Sequence, residues 1–249
     1  MSFTAILGAT GTIGSCLAQQ LVRDGQQVLL LGRDSEKLAP LAGHLGQPWA
    51  VFDSSVSASV EDAIAHQIAQ LGPVSAIVNA IGSVLLKPAH STSDSEFREV
   101  IETNLFTSFS AVRAAGRLMR EDGGSVLLFA SAAATIGIPN HEAIAAAKAG
   151  IVGLARSAAA TYAGSNIRFN VISPGLVKTN LTQRIWNSPL AAAASQEMHA
   201  LGRLGEPEQV ASLAKWLIDP ANDWMTGQVI GLDGGLGSVL PVRKVPRPS

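Results

Sequence analysis

The sequence is poor in the residues that mark several classes of protein. It contains one cysteine, Cys16, which excludes a disulfide within the chain. Charged residues make up 15% of the chain and its formal net charge is −1, so it lacks the basic character typical of nucleic-acid binding. No uninterrupted apolar run reaches the roughly 20 residues that span a bilayer, and the first residues lack the basic start of a signal peptide. We therefore expect a cytoplasmic protein without nucleic-acid or membrane partners.

Aliphatic and small residues dominate instead: 47% of the chain is hydrophobic and 24 residues are glycine. Short apolar runs alternate with longer segments of helical periodicity. The predicted strands are 3–7, 27–32, 48–53, 75–80, 125–130, 167–172 and 227–234, and the predicted helices are 12–24, 35–43, 56–71, 93–121, 143–163 and 207–219. Strands that are apolar throughout and alternate with helices indicate a parallel sheet covered on both faces. We predict an α/β protein, a single doubly wound Rossmann-type domain of residues 1–237 with a mostly parallel, seven-stranded sheet.

The C-terminal residues 238–249 differ from the rest in composition, because they are rich in proline, arginine and lysine. Such a segment is typical of a solvated chain end. The alternative is an arm that crosses a subunit interface.

The stretch "GATGTIG" (8–14) lies between the first predicted strand and the first predicted helix. Gly8 permits a tight turn, and Gly11 and Gly14 allow the backbone to approach a phosphate and the helix to approach the sheet. The free N–H groups at the start of the helix favour an anion. This order of strand, glycine-rich loop and helix predicts a site for the phosphates of a dinucleotide.

Two further strand ends carry candidates for contacts to the adenosine half of a dinucleotide. Arg33 stands where NAD-binding proteins place a carboxylate on the ribose 2′-hydroxyl, and arginine instead suits the 2′-phosphate of NADP. Asp34 follows at once, so the sequence favours NADP(H) over NAD(H) without excluding the latter. Asp53 ends the third predicted strand, where it would accept from the adenine amino group or cap the next helix.

From residue 3 to residue 235 the chain resembles the short-chain dehydrogenase/reductase family, in particular its β-ketoacyl-carrier-protein reductases. Besides "GATGTIG", the stretches that carry the resemblance are "VNAIG" (78–82), "ETNLFTSF", "LLFASAAA", "AIAAAKAG", "IRFNVISPGLVKT" (167–179), "GRLGEPEQVASLAKWL" and "TGQVIGLDGG". Three positions within the first two stretches depart from the family pattern: Thr12 replaces the usual middle glycine, Val78 replaces the first asparagine of the second motif, and Ile81 displaces its usual alanine. The resemblance implies nicotinamide-dinucleotide contacts from Gly8, Thr10, Gly11, Thr12, Ile13, Gly14, Arg33, Asp53, Ser54, Asn79, Ala80, Gly82, Lys148, Pro174, Gly175, Val177 and Thr179.

The resemblance also implies a catalytic group. In the family a serine polarises a carbonyl, a lysine holds the nicotinamide ribose and an asparagine positions a water in a proton relay; Ser131, Lys148 and Asn104 match them. A tyrosine that acts as general acid or base stands thirteen residues after the serine and four before the lysine. Both counts lead to position 144, which is isoleucine.

Ile144 can neither donate nor accept a proton, and the only tyrosine, Tyr162, lies roughly 27 Å farther along the same predicted helix. Three interpretations remain open. His141, whose residue type exchanges protons near neutral pH, supplies the proton. Alternatively the reaction needs no tyrosine, as in reduction of an activated C=C or C=N bond, an elimination or an isomerisation. In the third interpretation the chain is a non-catalytic nucleotide-binding subunit.

The expected substrate is a small, largely apolar molecule, since the segments predicted to face it, 83–90 and 178–205, are largely aliphatic. The first segment also contains Lys87 and His90. In the second, Arg184 and Arg203 would either meet an anionic group or remain solvated. No group of His, Cys and carboxylate residues has the spacing of metal ligands, so no metal site is predicted. The resemblance implies a homodimer or homotetramer.

Overall fold

A computed structural model describes residues 2–240 of the chain. The segment predicted to be a loose tail or an interface arm, 238–249, lies outside these residues from position 241 onward.

The described residues form one seven-stranded sheet in which every pair of neighbouring strands is parallel. Its order is β3-β2-β1-β4-β5-β6-β7, so the direction of winding reverses between β1 and β4. This is the predicted doubly wound fold, and ligands bind such folds at the carboxyl ends of the strands where the order reverses. The strands are β1 (Phe3–Leu7), β2 (Gln27–Gly32), β3 (Trp49–Val51), β4 (Val74–Asn79), β5 (Gly124–Phe129), β6 (Ile167–Pro174) and β7 (Val229–Leu232).

Helices connect the strands and cover both faces of the sheet. They are α1 (Thr12–Arg23), α2 (Ser35–Leu45), α3 (Ser57–Leu71), α4 (Asp94–Ile101), α5 (Thr107–Leu118), α6 (Glu142–Tyr162), α7 (Gln183–Trp186), α8 (Pro189–Met198) and α9 (Pro207–Ile218).

The prediction misses α7 and α8, and three of its elements differ clearly from the structure. The helix predicted at 93–121 consists of α4 and α5 joined by a π-helical segment, Glu102–Phe106. The third strand is shorter than predicted, because only Trp49–Val51 pairs with β2. The last strand is also shorter, since Val229–Leu232 alone pairs with β6. Apolar periodicity cannot locate these element ends, because the hydrophobic pattern continues past the last paired residue.

The sheet separates two hydrophobic clusters. On one face, residues of α3, α5 and α6 pack on the strands, among them Ile64, Ala111 and Ile151. On the other face the contributors come from α1, α2 and α9, for example Leu17 and Val210. Because both faces of the strands are buried, β1, β2 and β5 are apolar along nearly their whole length.

The stretch Glu142–Ser165 is the one helix among the described residues that has the length and the mean hydropathy, 1.3, of a membrane-spanning helix. The sequence prediction missed it because Lys148 and Arg156 interrupt the apolar run, whereas its many alanines keep the average high. The core helix of a soluble protein passes the same test, and α6 places Ile151 and Ala155 in the core cluster beside the sheet. Length and composition are therefore weak evidence for a membrane span here.

Candidate active site

A cavity of about 380 Å³ lies where β1, β4, β5 and β6 end. Its walls are the loops that follow these four strands, the first turn of α1, the first half of α6 and the segment from α7 to α8. Twelve of the residues predicted to bind cofactor or take part in catalysis line it: Gly11, Thr12, Ile13, Ala80, Gly82, Ser131, His141, Lys148, Pro174, Gly175, Val177 and Thr179. Because those residues come from segments up to 168 positions apart, the fold alone brings them together.

The glycine-rich loop makes close backbone contacts at both of its ends. Gly8 has φ +76°, and a Cβ there would lie 3.0 to 3.1 Å from Ile81 and the Ala80 carbonyl carbon. A Cβ on Gly14 would overlap the carbonyl oxygen of Gly8. No side chain caps α1, whose N-cap is Gly11, so the N–H groups of its first turn are left for a ligand.

We expect Gly14→Ala to lower the free energy of unfolding by about 1–3 kcal/mol, because a methyl group forced against backbone must displace it. Urea unfolding measures the change. Gly153→Ala is the matched control: Gly153 lies in α6 with no atom within 4 Å of its added Cβ, so alanine there should stabilise the protein by up to about 1 kcal/mol. Equal stabilities for the two variants would contradict the close contact.

Thr12, which stands where the family has glycine, makes a contact of its own. Its Oγ1 accepts a hydrogen bond from the Asn180 backbone N–H at 3.1 Å. The hydroxyl therefore joins the glycine-rich loop to the loop after β6, across the mouth of the cavity.

Lys148 is buried, and its Nζ donates to the carbonyl oxygen of Phe129, the last residue of β5, at 3.0 Å. Burial lowers the pKa of the ammonium group from 10.5 to about 8. The amine also lies near the loop after β4, since a Cβ on Gly82 would be 3.5 Å from Nζ and 3.2 Å from Asn104 Oδ1. A side chain at 82 would therefore sit in ordinary contact with the amine and in tight contact with the Asn104 amide.

Asn104 is fully buried in the π-helical segment between α4 and α5. Its Nδ2 donates to the Val100 carbonyl and to Ser83 Oγ, both at 2.9 Å, while its Oδ1 accepts from the Ser83 N–H at 3.2 Å. π-helical turns inside helices occur often at functional sites. Here the side chain fixes the loop after β4, and it does not itself line the cavity.

Ser131 follows β5 in an extended conformation, and its Oγ accepts from the Ala133 N–H at 3.2 Å. Since this bond uses the oxygen as acceptor, the hydroxyl hydrogen stays available to a ligand in the cavity.

Ile144 lies on α6 one turn before Lys148, and its side chain is 4% exposed. It packs with Val100, Ala143 and Ala147 in a small apolar cluster and forms part of the cavity wall. The structure thus places a hydrocarbon side chain at the position for which the motif spacing predicts a phenol.

His141 also lines the cavity, but it precedes α6 as its N-cap residue and is not part of the helix. Asn140 before it has φ 64°, a left-handed conformation that asparagine tolerates better than most residues. His141 Nδ1 lies 2.8 Å from the Pro139 carbonyl oxygen, so Nδ1 carries the hydrogen and Nε2 is left for another partner.

The predicted adenosine contacts lie outside the cavity, beyond β2 and β3. Arg33 is exposed, whereas the Asp34 carboxylate accepts from the N–H groups of Glu36 and Lys37 and caps α2. The hydrogen bond from Lys37 lowers the pKa of that carboxyl group. The carboxylate is therefore engaged by its own helix, and the guanidinium of Arg33 has no hydrogen-bond or ion-pair partner among residues 2–240.

Asp53 is not the cap of the next helix, as one interpretation held, because α3 starts after Val56. Its Oδ1 accepts from the backbone N–H and the hydroxyl of Ser55 at 2.8 and 2.7 Å, which closes a tight turn. The second carboxylate oxygen has no partner in the described part of the chain. Ser54 beside it is half-buried.

Four other predicted residues do not line the cavity but lie in the segments next to it. Asn79 is buried, and its amide donates to Thr107 Oγ1 and Ser108 Oγ at 3.1 Å each, so its side chain ties β4 to α5. The remaining three, Gly8, Thr10 and Gly14, belong to the turn between β1 and α1.

Most of the basic residues predicted near the substrate lie elsewhere. Lys87 pairs with Glu96 at 2.8 Å, and neither it nor the exposed His90 lines the cavity. Arg184 and Arg203 are exposed, as the solvated interpretation expected. The apolar side chains of these segments face the cavity instead: Val84, Leu86, Leu181, Ile185 and Met198.

The geometry agrees with what sequence comparison finds. A family model described as enoyl-(acyl carrier protein) reductase matches residues 8–237, nearly the whole described chain. The chain belongs to the short-chain dehydrogenase/reductase family. The resemblance drawn from its motifs is thereby confirmed.

Relatives in this family carry several activities in their names. A mouse 3-oxoacyl-[acyl-carrier-protein] reductase is 30% identical over 93% of this chain and 96% of its own length. A Xanthobacter autotrophicus protein named inactive 2-(S)-hydroxypropyl-CoM dehydrogenase 2 is 31% identical over 90% of this chain and 100% of its own length. The solved structure of a short-chain dehydrogenase/reductase from Mycobacterium ulcerans superposes with a TM-score of 0.90 at 28% identity, covering 95% of this chain and 91% of that one.

One residue of this short-chain dehydrogenase/reductase that the motifs did not single out is His199, at the end of α8. It is buried and lines the cavity. Its Nδ1 lies 2.6 Å from the Ser195 carbonyl oxygen, and its Nε2 accepts from the Leu176 N–H at 3.1 Å. Both nitrogens are satisfied by the neutral ring, which joins α8 to the loop after β6. A histidine within an alanine-rich segment gives no local signal of such a role.

The buried amine makes the stability of this short-chain dehydrogenase/reductase depend on pH. The pKa of Lys148 is about 8 in the folded chain and 10.5 when exposed, so between these values only the unfolded chain holds the proton. The free energy of unfolding therefore rises with pH across this window, by up to about 3 kcal/mol. Urea unfolding from pH 7 to 10.5 measures it, and Lys148→Met removes the group. A difference between the two proteins that stays constant with pH would contradict the lowered pKa.

Proposed function

We propose that the protein is an NADP(H)-dependent oxidoreductase that acts on a small, largely apolar C=O, C=C or C=N substrate without a catalytic tyrosine. The observation that carries the proposal is the single cavity that joins the first turn of α1, Ser131 and Lys148. A nicotinamide dinucleotide fits the residues present, because the close contacts at Gly8 and Gly14 and the uncapped start of α1 form a backbone cradle that side chains would fill.

The preference for NADP(H) is supported at the end of β2. Arg33 is exposed, and it can approach the 2′-phosphate with two parallel hydrogen bonds. The neighbouring carboxylate that would instead select NAD(H), Asp34, already caps α2 and pairs with Lys37. Because the Asp34 carboxylate already has these partners, it is less free to bind a ribose hydroxyl.

The substrate class follows from the walls of the cavity. The described lining contains neither a carboxylate nor an arginine, and its apolar side chains include Val84, Leu86, Ile138, Ile185 and Met198. A substrate with several charged or hydroxyl groups would lose water against these apolar walls, where most of its polar atoms would find no partner. An uncharged substrate with one polar group therefore fits best.

Each polar residue has a role in this proposal. When bound, NADP(H) supplies or accepts the hydride. Ser131 donates its hydroxyl hydrogen to the polar atom of the substrate, and Lys148 donates to the nicotinamide ribose. His141, which lines the cavity, uses its free Nε2 to exchange the proton that a tyrosine would handle. Asn104 holds the loop after β4 through Ser83.

Two measurements test the proposal. NADPH should bind with micromolar affinity and more tightly than NADH in fluorescence titrations, and NADPH oxidation should appear with at least one member of a panel of apolar ketones, enones and imines.

Ser131→Ala is expected to lower that turnover by about 10–100-fold, because one positioned hydrogen-bond donor is lost. Ser195→Ala is the control, since this serine also lines the cavity but contacts His199 through its backbone. Tighter NADH binding, or equal turnover by both variants, would overturn the assignment.

A second candidate, a non-catalytic nucleotide-binding subunit, is favoured by Ile144 alone. The side chain is buried among apolar neighbours and offers no proton. The Xanthobacter relative, whose name calls that protein inactive, shows that full-length similarity does not guarantee turnover. NADPH binding without turnover of any compound in the panel would support this candidate.

A further inference from the structure

The Lys148 amine is unusual for a buried lysine because it lacks an anionic partner. The amine borders the cavity, and its one hydrogen bond to a described residue runs to the Phe129 carbonyl. No ion pair within residues 2–240 involves it. A protonated lysine has three N–H donors, so two of them point to no acceptor in the described chain.

The surroundings raise the neutral fraction of this amine above that of an exposed lysine. The titratable side chains that line the cavity with Lys148 are His141 and His199, and the described lining includes no carboxylate. Residue 144, one turn before it on α6, is a hydrocarbon. A charge buried without compensation is costly, and lysine in such a place loses its proton readily. A neutral amine carries a lone pair, which makes it a nucleophile.

We propose that, in the nucleotide-free protein, Lys148 is a covalent binding site for apolar aldehydes, which it captures as a reversible imine. The site is distinct from hydride transfer, and the proposal does not depend on the reductase function.

Imine formation needs only the Lys148 amine and the aldehyde. The Nζ lone pair forms a bond to the carbonyl carbon, and the C=O π electrons move to oxygen, which takes the proton lost from nitrogen. The resulting carbinolamine expels water and leaves a C=N bond between Nζ and the former carbonyl carbon. No oxidant or reductant is consumed, and hydrolysis reverses the reaction. Ser131 is placed to donate to the oxygen, since its hydroxyl hydrogen is not used elsewhere.

The test uses the full chain, stripped of nucleotide, with hexanal and sodium cyanoborohydride at pH 7.5. The reductant converts the imine to a stable secondary amine, which adds the mass of hexanal less one oxygen atom to the labelled lysine. Peptide mass mapping compares Lys148 with Lys178 and Lys215, which are paired with Glu206 and Asp24 near the surface. Because all three lysines lie in one protein, the comparison needs no variant that must fold.

We expect Lys148 to be labelled at least about tenfold more than either comparison lysine. Burial lowers its pKa to about 8, so a substantial fraction is neutral at pH 7.5, whereas an exposed lysine stays almost fully charged. Lys148→Arg should remove this excess and leave the label on Lys215 unchanged. Glyoxylate, a charged aldehyde, should label Lys148 less than hexanal does relative to Lys215. Labelling of Lys148 at or below the level of the surface lysines, or equal preference for glyoxylate, would overturn the proposal.

A parallel sample with saturating NADPH separates this inference from the proposed function. If the ribose contacts Lys148, NADPH should suppress its labelling. Unchanged labelling at saturation would contradict the ribose contact in the proposed function, while the capture of aldehydes by the free protein would still stand.

Discussion

Ile144→Tyr is expected to raise the rate of NADPH-dependent reduction of apolar ketones by up to about 10²–10⁴-fold, the usual contribution of a positioned general acid, and by less for a ketone that His141 already protonates. Residue 144 lies on the cavity wall one turn before Lys148, so a phenol there would share the cavity with the amine and the Ser131 hydroxyl. The nearby ammonium ion would favour the phenolate and lower the pKa of the new tyrosine. Steady-state NADPH oxidation with a panel of ketones measures the gain.

Ile144→Phe is the matched control, because it adds the same ring without the hydroxyl. Both variants enlarge a buried side chain that packs on Val100 and Ala147, so each should lower the free energy of unfolding by about 1–3 kcal/mol. Only the tyrosine should gain activity. Equal rates for the two variants would mean that the cavity does not hold a ketone in a geometry for proton transfer, and the assignment of Ser131 and Lys148 as a reductase pair would fail.

Arg33→Asp is expected to weaken NADPH binding by about 10–150-fold, which corresponds to the 1.5–3 kcal/mol of a hydrogen bond to a charged group. The loss of a guanidinium and the gain of a carboxylate both oppose the 2′-phosphate. NADH has a hydroxyl at that place, so its affinity should be unchanged or higher. Fluorescence titration with both nucleotides gives the ratio of dissociation constants directly.

Arg23→Asp changes the net charge by the same amount at an exposed position of the last turn of α1. This control separates a local contact with the 2′-phosphate from a general effect of charge, which would weaken both variants alike and fall at high salt. An Arg33→Asp protein that still prefers NADPH would place the 2′-phosphate away from the end of β2.

The prediction of strands succeeded because burial on both faces makes a parallel strand apolar along its whole length, which is a local property of the sequence. The glycine-rich loop was recognisable for a similar reason: Gly8 needs a positive φ and Gly14 needs space, and few other residues meet these needs. The alternation of strands and helices then left the doubly wound sheet as the expected arrangement.

The roles of particular side chains could not be predicted in the same way. Asp53 looked like a helix cap, yet it closes a turn with Ser55 because α3 begins later. His141 was a candidate by residue type alone, yet its Nδ1 is held by the Pro139 carbonyl because it precedes α6 after a left-handed asparagine. In both cases the hydrogen-bond partner depends on where a backbone segment bends, and side-chain type fixes only which partners are suitable.

The sequence by itself determined the order of the seven strands, the family and the absence of a tyrosine at position 144, since these depend on residue types and spacings along the chain. Tertiary structure alone decided that Lys148 donates to Phe129, nineteen positions away, that Asn104 fixes Ser83 from a π-helical turn, and that His199 joins α8 to Leu176. Contacts between distant segments form only when the helices pack on the sheet, and packing depends on the shapes of all the side chains together.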